Sequence, residues 1–290
     1  MNKLFRYLLL LGVAVIWGST FIIIKDTVSS YHPFALIASR FIVASLPLGF
    51  LLWRKKLNPF QFWKIGLASG VAQFMTFAPQ AIGLQVTTPS NSAFITGLFV
   101  VFTPIINLLF NRNKPNSKEI VASIIAIIGL WILTGGVANF NSGDFITILT
   151  AVAISVCIVL TKKALEMGAN PITLTFQQLI LTAIIGCIGV VVTRSQFIPS
   201  NPNIYFAILY LGIMATFVAF FVQNSVMKSL NSNIVSIVVS TEPFFALLFS
   251  WGFGYESFAI LKLIGGLTML FAIILPEIKA DKLTSPNRNH

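Results

Sequence analysis

Short polar segments break the chain at regular intervals and separate ten apolar runs of about membrane length, at 7–25, 33–52, 62–82, 91–111, 118–136, 144–161, 172–192, 204–227, 232–251 and 258–276. A helix rises about 1.5 Å per residue, so each run suits a hydrocarbon core of about 30 Å. The separators are rich in Asn, Pro, Ser and Gly, as at Asn113-Lys114-Pro115-Asn116 and Pro199-Ser200-Asn201-Pro202. Such segments mark turns and leave no room for a separate soluble domain. The pattern predicts an all-α membrane protein with ten transmembrane helices. Lys3 and Arg6 ahead of the first run resemble a signal peptide, but the run is long, no clear cleavage site follows and further spans do. A retained first helix is therefore expected.

Composition agrees. Charged residues make up 9% of the chain, against about 25% in soluble domains, and the mean hydropathy is +0.89. The net charge of +11 would suggest a nucleic-acid partner in a soluble protein; here the positions of the charges matter more, and no nucleic-acid partner is expected. With the N-terminus inside, 15 of the 19 basic residues fall on inside segments and three (Lys25, Arg194, Lys262) outside, while Arg40 lies within the second run. This bias predicts a multi-pass protein of the cytoplasmic membrane with both termini cytoplasmic. Lys25 and Lys262 are expected to snorkel to the outer headgroups. Cys157 and Cys187 lie inside apolar runs and read as small buried hydrophobes. His32 has no second His nearby, and no metal site is expected.

Ten spans divide into two fives, and an odd number of helices per half places the second half upside down in the membrane. The expected division is a first five-helix repeat at 1–136, a second, inverted one at 137–280, and a cytoplasmic tail at 281–290. Thr103-Pro104 in the fourth run is echoed by Glu242-Pro243 in the ninth. Thr87, Thr88, Pro89, Ser90 and Asn91 are echoed by Ser229, Asn231, Ser232 and Asn233. The closing helices carry Gly129 and Gly265-Gly266.

The candidate chemistry gathers near the midplane. Glu242 is the only acid well inside an apolar run, at a cost of roughly 2.5–3.5 kcal/mol on insertion scales. Pro243 lacks an N–H and leaves the Val239 carbonyl without its helical partner. Glu242 can be a structural acid, paired with Arg40 or capped by Ser240 and Thr241; it can equally be a proton-titrating or amine-binding group. Arg40, about 10 Å below the outer face at helical rise, can snorkel outward or act as a fixed cation for a helix C-terminus, Glu242 or an anionic group. Trp17-Gly18-Ser19-Thr20 can serve helix packing or line a cavity. Gln73, Phe77 and Gln80 share a helix face, and Phe220, Gln223 and Asn224 occupy the corresponding region of the second half. Gln177-Gln178 reads as glue between helices.

No Walker motif, His/Cys or acid cluster, or Ser/His/Asp set is present, so neither a nucleotide-driven pump nor an enzyme is expected, and no cofactor. Pore-forming charge rings are also missing. Across nearly its whole length the chain resembles the drug/metabolite transporter superfamily in its EamA-type branch. The resemblance rests on Trp17-Gly18-Ser19-Thr20, Pro33 followed by Arg40-Phe41, Ala93 to Pro104, Gly129-Leu130, Glu242-Pro243 and Gly265-Gly266. It implies two inverted five-helix repeats, a central cavity, and secondary transport of small metabolites, often export of amino acids or related compounds. Carried onto this sequence, the family's cavity lining corresponds to Trp17, Ser19, Thr20, Gln73, Phe77, Gln80, Thr96, Ser155, Gln223, Asn224 and Glu242. The sixth run departs from the pattern: it lacks a Trp-Gly pair and offers Ser155 and Cys157, which implies an asymmetric cavity. The expectation is alternating access by rocking of the two halves. Pro104 and Pro243 would shape the gates, Glu242 and Arg40 would serve coupling or gating, and the partners would be a small solute, the bilayer and, as an open coupling ion, protons. Uptake of another metabolite class and a non-transporting membrane partner or sensor are the alternatives.

Overall fold

A computed structural model describes residues 3–87, 89–112, 114–135, 141–254 and 258–275, with the backbone alone for Pro89, Ser90, Thr134 and Ser250. Thr88, the 136/137 boundary, Lys279, Lys282, Arg288 and the tail at 281–290 lie outside the described residues. Among the described residues every regular element is helical. In order they are α1 (Lys3–Gly18), α2 (Thr20–Val28), α3 (Pro33–Arg54), α4 (Trp63–Val86), α5 (Pro89–Gly97), α6 (Phe99–Asn111), α7 (Ser117–Thr134), α8 (Ser142–Glu166), α9 (Pro171–Thr193) and α10 (Asn203–Gly212). A wide π-helical segment (Ile213–Val218) leads into α11 (Ala219–Met227), and α12 (Ser232–Val239), α13 (Glu242–Gly252) and α14 (Ile260–Ile274) complete the chain.

Among the described residues, seven helical stretches are long and apolar enough to cross a bilayer: Lys3–Val28, Pro33–Arg54, Asn91–Asn111, Ser142–Glu166, Pro171–Thr193, Asn203–Met227 and Ser232–Phe249. The chain is a multi-pass membrane protein. Burial supports this, because large apolar side chains such as Trp53 and Val191 (both 76% exposed) face outward while Gln73 and Gln178 (both 1%) point in. The helices start where the polar separators supply caps. Asn116 and Asn141 form capping boxes with Glu119 and Asp144, and the Asn170 and His32 side chains accept from Ile172 N and Phe34 N, each ahead of a helix-starting proline.

Without a hydrophobic force between helices in lipid, close approach at small residues holds the bundle. A Cβ on Gly129 would lie 2.7 Å from the Gly265 carbonyl, and one on Gly186 2.9 Å from Ala38 N. The most extensive helix–helix contacts join α4 to α8, α3 to α9 and α7 to α14. All three cross the 136/137 boundary, so parting the chain into its two sequence halves would break its largest interfaces. Any relative movement of the two halves therefore works across these interfaces. Lys25 departs from expectation. Its ammonium donates to the carbonyls of Leu84 (2.6 Å) and Thr87 (3.0 Å), neutralising the C-terminal end of α4 rather than reaching for headgroups.

Two capping carboxylates reach beyond their own helices. Asp144, fully buried, accepts from Asn141 N (2.8 Å), from the Thr87 hydroxyl and from Asn91 Nδ2 (3.4 Å), tying α8 to the junction of α4 and α5. Glu119 accepts from Asn231 Nδ2 (3.1 Å) and Asn233 Nδ2 (2.7 Å), tying α7 to the start of α12. Asp144→Ala leaves buried donors without an acceptor and is expected to destabilise the protein by about 3 kcal/mol. A thermal unfolding midpoint unchanged in detergent would remove the structural weight assigned to this contact.

Candidate functional site

Three helices each turn an i, i+3, i+4, i+7 stripe toward one interior point: Gln73, Thr76, Phe77 and Gln80 on α4; Ile154, Cys157, Ile158 and Thr161 on α8; Phe220, Gln223, Asn224 and Met227 on α11. This spacing puts four side chains on one face of a helix. Trp17 and Thr20 from the α1–α2 junction, Arg40 from α3, Thr96 and Phe99 from α5–α6, and Val239 and Glu242 from α12–α13 close the space between them. The cavity is small, about 50 Å³, room for roughly three to five waters.

Chain breaks position the key groups. Between α12 and α13, Ser240 and Thr241 interrupt the helix, and Pro243 sits in the first turn of α13 directly after Glu242. Glu242 therefore stands at a helix N-terminus, where the dipole favours an acid. The Ser240 and Thr241 hydroxyls donate to the Ile237 (2.8 Å) and Val238 (2.7 Å) carbonyls, so neither caps the carboxylate. Among the described residues the Glu242 carboxylate has no hydrogen-bond partner and forms no ion pair, although Arg40 lines the same cavity. In the fourth run the break falls at Leu98, while Pro104 lies inside α6. Pro104 therefore does not mark a break comparable to that at Glu242-Pro243, because the break at Leu98 lies six residues before Pro104, whereas Ser240-Thr241 lie two to three residues before Pro243.

Arg40 does not snorkel. It is 3% exposed, with Nε donating to Thr216 Oγ1 (2.5 Å) and Nη2 to the Ala215 carbonyl (3.3 Å), and its Cζ lies 4.6 Å from the Phe77 ring centroid. The π-helical segment makes this possible. Ala219 N donates to the Met214 carbonyl, five residues back, instead of to Ala215 four back. The Ala215 carbonyl accepts from Arg40 and from Trp17 Nε1 (2.8 Å). Wide turns of this kind recur at functional sites because they expose backbone acceptors. Trp17, Phe220 and Phe77 form a continuous aromatic wall, with centroids 5.0 Å and 5.9 Å apart.

The amides supply polar atoms of both kinds. Gln80 Nε2 donates to Thr96 Oγ1 (3.2 Å), and Cys157 Sγ donates to Gln73 Oε1 (3.1 Å). Among the described residues Gln73 Nε2 and Gln223 Oε1 are buried without partners. Asn224 Nδ2 donates to Gln178 Oε1 (2.8 Å) and Thr175 Oγ1 (2.9 Å), while Gln178 Nε2 donates to Thr161 (2.7 Å). Gln178 thus works as glue, and what it fixes is the pose of two lining residues. Gln177 holds the Pro59 and Gln61 carbonyls at 2.7 and 2.9 Å, away from the cavity.

Ten of the expected positions meet around the cavity: Trp17, Thr20, Arg40, Gln73, Phe77, Gln80, Thr96, Gln223, Asn224 and Glu242. Ser19 does not, since its hydroxyl donates to the Ile16 carbonyl and pairs with Tyr210 Oη (both 2.6 Å). Ser155 is also outside, bonded to the Phe99 and Ala151 carbonyls (both 3.1 Å). Pro104 and Pro243 act through the backbone and do not line it. Sequence reasoning missed Thr76 and, of the α8 stripe, named only Cys157 and missed Ile154, Ile158 and Thr161. The i, i+3, i+4, i+7 spacing already visible in α4 would have found them.

Comparison with known proteins bears on the whole chain. The EamA-like transporter family matches residues 4–135 and again 141–276. An uncharacterized transporter of Archaeoglobus fulgidus is 30% identical over 278 residues, covering 96% of this chain and 87% of that protein. The uncharacterized transporter YyaM of Bacillus subtilis is 23% identical, covering 94% of each. A solved crystal structure superposes with a TM-score of 0.77 over 98% of this chain and 100% of its own, at 15% identity, a likeness of fold.

Proposed function

The chain belongs to the EamA-like transporter family, and from that premise we propose that it is a secondary carrier that exports a small zwitterion of the amino-acid class across the cytoplasmic membrane by alternating access. The observation that carries this reading is that Arg40 and Glu242 line one buried cavity without an ion pair between them among the described residues. Two opposite buried charges left apart are costly, and a solute with both an ammonium and a carboxylate group would relieve both. The unpartnered Gln73 Nε2 and Gln223 Oε1 offer one further donor and one acceptor, and the Trp17–Phe220–Phe77 wall suits an apolar side chain. Trp17, Thr20, Gln73, Phe77, Gln80, Thr96, Gln223 and Asn224 are the binding residues in this reading, with Glu242 for the amine or a coupling proton and Arg40 for the carboxylate.

A cavity of about 50 Å³ is too small for a metabolite without helix movement, so this reading requires a wider stage of the cycle. Because α4–α8, α3–α9 and α7–α14 pack extensively, the moving parts in this reading are the broken helices α5–α6 and α12–α13. Bending at Ser240-Thr241 carries Glu242 with it. The reading takes α1–α2, α3, α4, α5–α6 and α7 as the first five spans and α8, α9, α10–α11, α12–α13 and α14 as the inverted second five, with repeats at 1–136 and 137–280 and both termini cytoplasmic. The doubled family match and the distribution of basic residues support it.

Purified protein in liposomes, offered an amino-acid panel under an imposed pH gradient, is expected to accumulate a zwitterionic solute in a gradient-dependent way. Verified insertion with no transport across the panel would overturn the carrier reading and leave a membrane partner or sensor.

A further inference from the structure

Apart from the central cavity, the described residues form a polar concavity of about 610 Å³ where the chain after α6 and after α11 meets the end of α8. Four cations line it, Arg112, Lys114, Lys162 and Lys228, against a single carboxylate, Glu166. That carboxylate is committed. Lys162 Nζ lies 3.4 Å from Glu166 and also donates to the Met227 carbonyl (3.2 Å). Arg112, Lys114 and Lys228 have no counter-charge among the described residues. A general bias of basic residues toward one side of the membrane scatters cations over all loops on that side. Here three uncompensated ones from two separate loops converge on one concavity.

We propose that this concavity binds a phosphate-bearing anion, with an anionic phospholipid headgroup as its source. Phosphate offers several acceptor oxygens to guanidinium and ammonium donors at once. A lipid is favoured because Leu109 and Phe110, exposed by 69% and 49%, lie on the last turn of α6, with Asn111 between them and the C-capping Arg112. That arrangement sets apolar surface for acyl chains beside cations for a headgroup. The site bridges Arg112 and Lys114 to the Lys228–Ser232 segment, which leads into α12. Glu119 already holds the start of α12 through Asn231 and Asn233. A bound anion therefore restrains the inner end of the broken helix α12–α13, so that lipid composition tunes its movement.

The test is retention of phosphatidylglycerol against phosphatidylcholine by the detergent-purified full chain, followed by native mass spectrometry, with inorganic pyrophosphate as a soluble competitor. The full chain is expected to hold phosphatidylglycerol preferentially. The triple variant Arg112→Gln, Lys114→Gln, Lys228→Gln is expected to bind it roughly a hundredfold more weakly, at about fivefold per basic side chain near a membrane surface. The charge-keeping variant Arg112→Lys, Lys114→Arg, Lys228→Arg should retain it. Pyrophosphate binding that is lost in the triple variant, without phosphatidylglycerol preference, would keep the phosphate site and overturn the lipid as its source. Equal retention by wild type and triple variant, or no preference for the anionic lipid and no pyrophosphate binding, would overturn the site. Should the triple variant not fold, Lys114→Gln alone, on an exposed segment, reads the same loss at about fivefold.

Discussion

Glu242→Gln is expected to insert and fold as the native chain does, while transport falls between about tenfold and a hundredfold and loses its dependence on pH. The folding half of this expectation follows from the geometry. The carboxylate makes no hydrogen bond among the described residues and the substitution keeps its shape, so little native structure depends on its charge. The functional half follows from the same isolation. A carboxylate that lines the cavity without an ion-pair contact to Arg40 is free to take what enters, a proton or a substrate ammonium. An amide can pair with neither as a charge. Rates measured in liposomes across a pH series decide the matter. Native rates and an unaltered pH profile would reduce Glu242 to a structural acid.

Gly18→Ala is expected to cost about 1–3 kcal/mol of stability by overpacking and to abolish most transport, although it adds one methyl group. A Cβ at Gly18 would lie 2.8 Å from both Ala246 N and Phe245 Cβ and 2.9 Å from the Glu242 carbonyl. Backbone atoms of α13 cannot yield as the tip of a side chain can. Room for the methyl comes from pushing α1 off α13, which misplaces Trp17 and the Glu242 turn together. Gly12→Ala is the control, since no atom lies within 4 Å of its Cβ, and replacing a helical glycine there should be neutral or stabilising by up to about 1 kcal/mol. Equal thermal unfolding midpoints for the two variants would sink the close-packing account.

What could be read from the sequence was whatever had a period or a cost. The helical runs follow from hydropathy, and Glu242 stands out because an acid at that depth needs a reason. Gln73, Phe77 and Gln80 were found because polar and aromatic groups alternate on one face. Beyond Cys157 the α8 stripe escaped because Ile154 and Ile158 look like lipid-facing residues, and Ser155 drew notice for a hydroxyl that in the fold serves the Phe99 carbonyl. The break at Leu98 carries no proline to announce it. The pairing of α4 with α8, α3 with α9 and α7 with α14 was invisible for a different reason. Nothing in one helix's own pattern names its partner, and small residues such as Gly129 and Gly186 show only that some close neighbour exists.

The wide turn at Ile213–Val218 gives this last point a genetic side. Such a turn holds one more residue than an α-helical one, so every side chain after it is rotated by about 100° from where an unbroken helix would put it. Phe220, Gln223, Asn224 and Met227 face inward because of a count as well as because of their identities. Loss of a single codon within the turn would close it to α-helical geometry and leave this wall facing inward, while engaging the freed backbone acceptor that Arg40 and Trp17 now use. Point substitution exchanges one side chain at a time, whereas this one-codon loss would keep every side chain of the wall and take away the backbone contact that holds two others beside it.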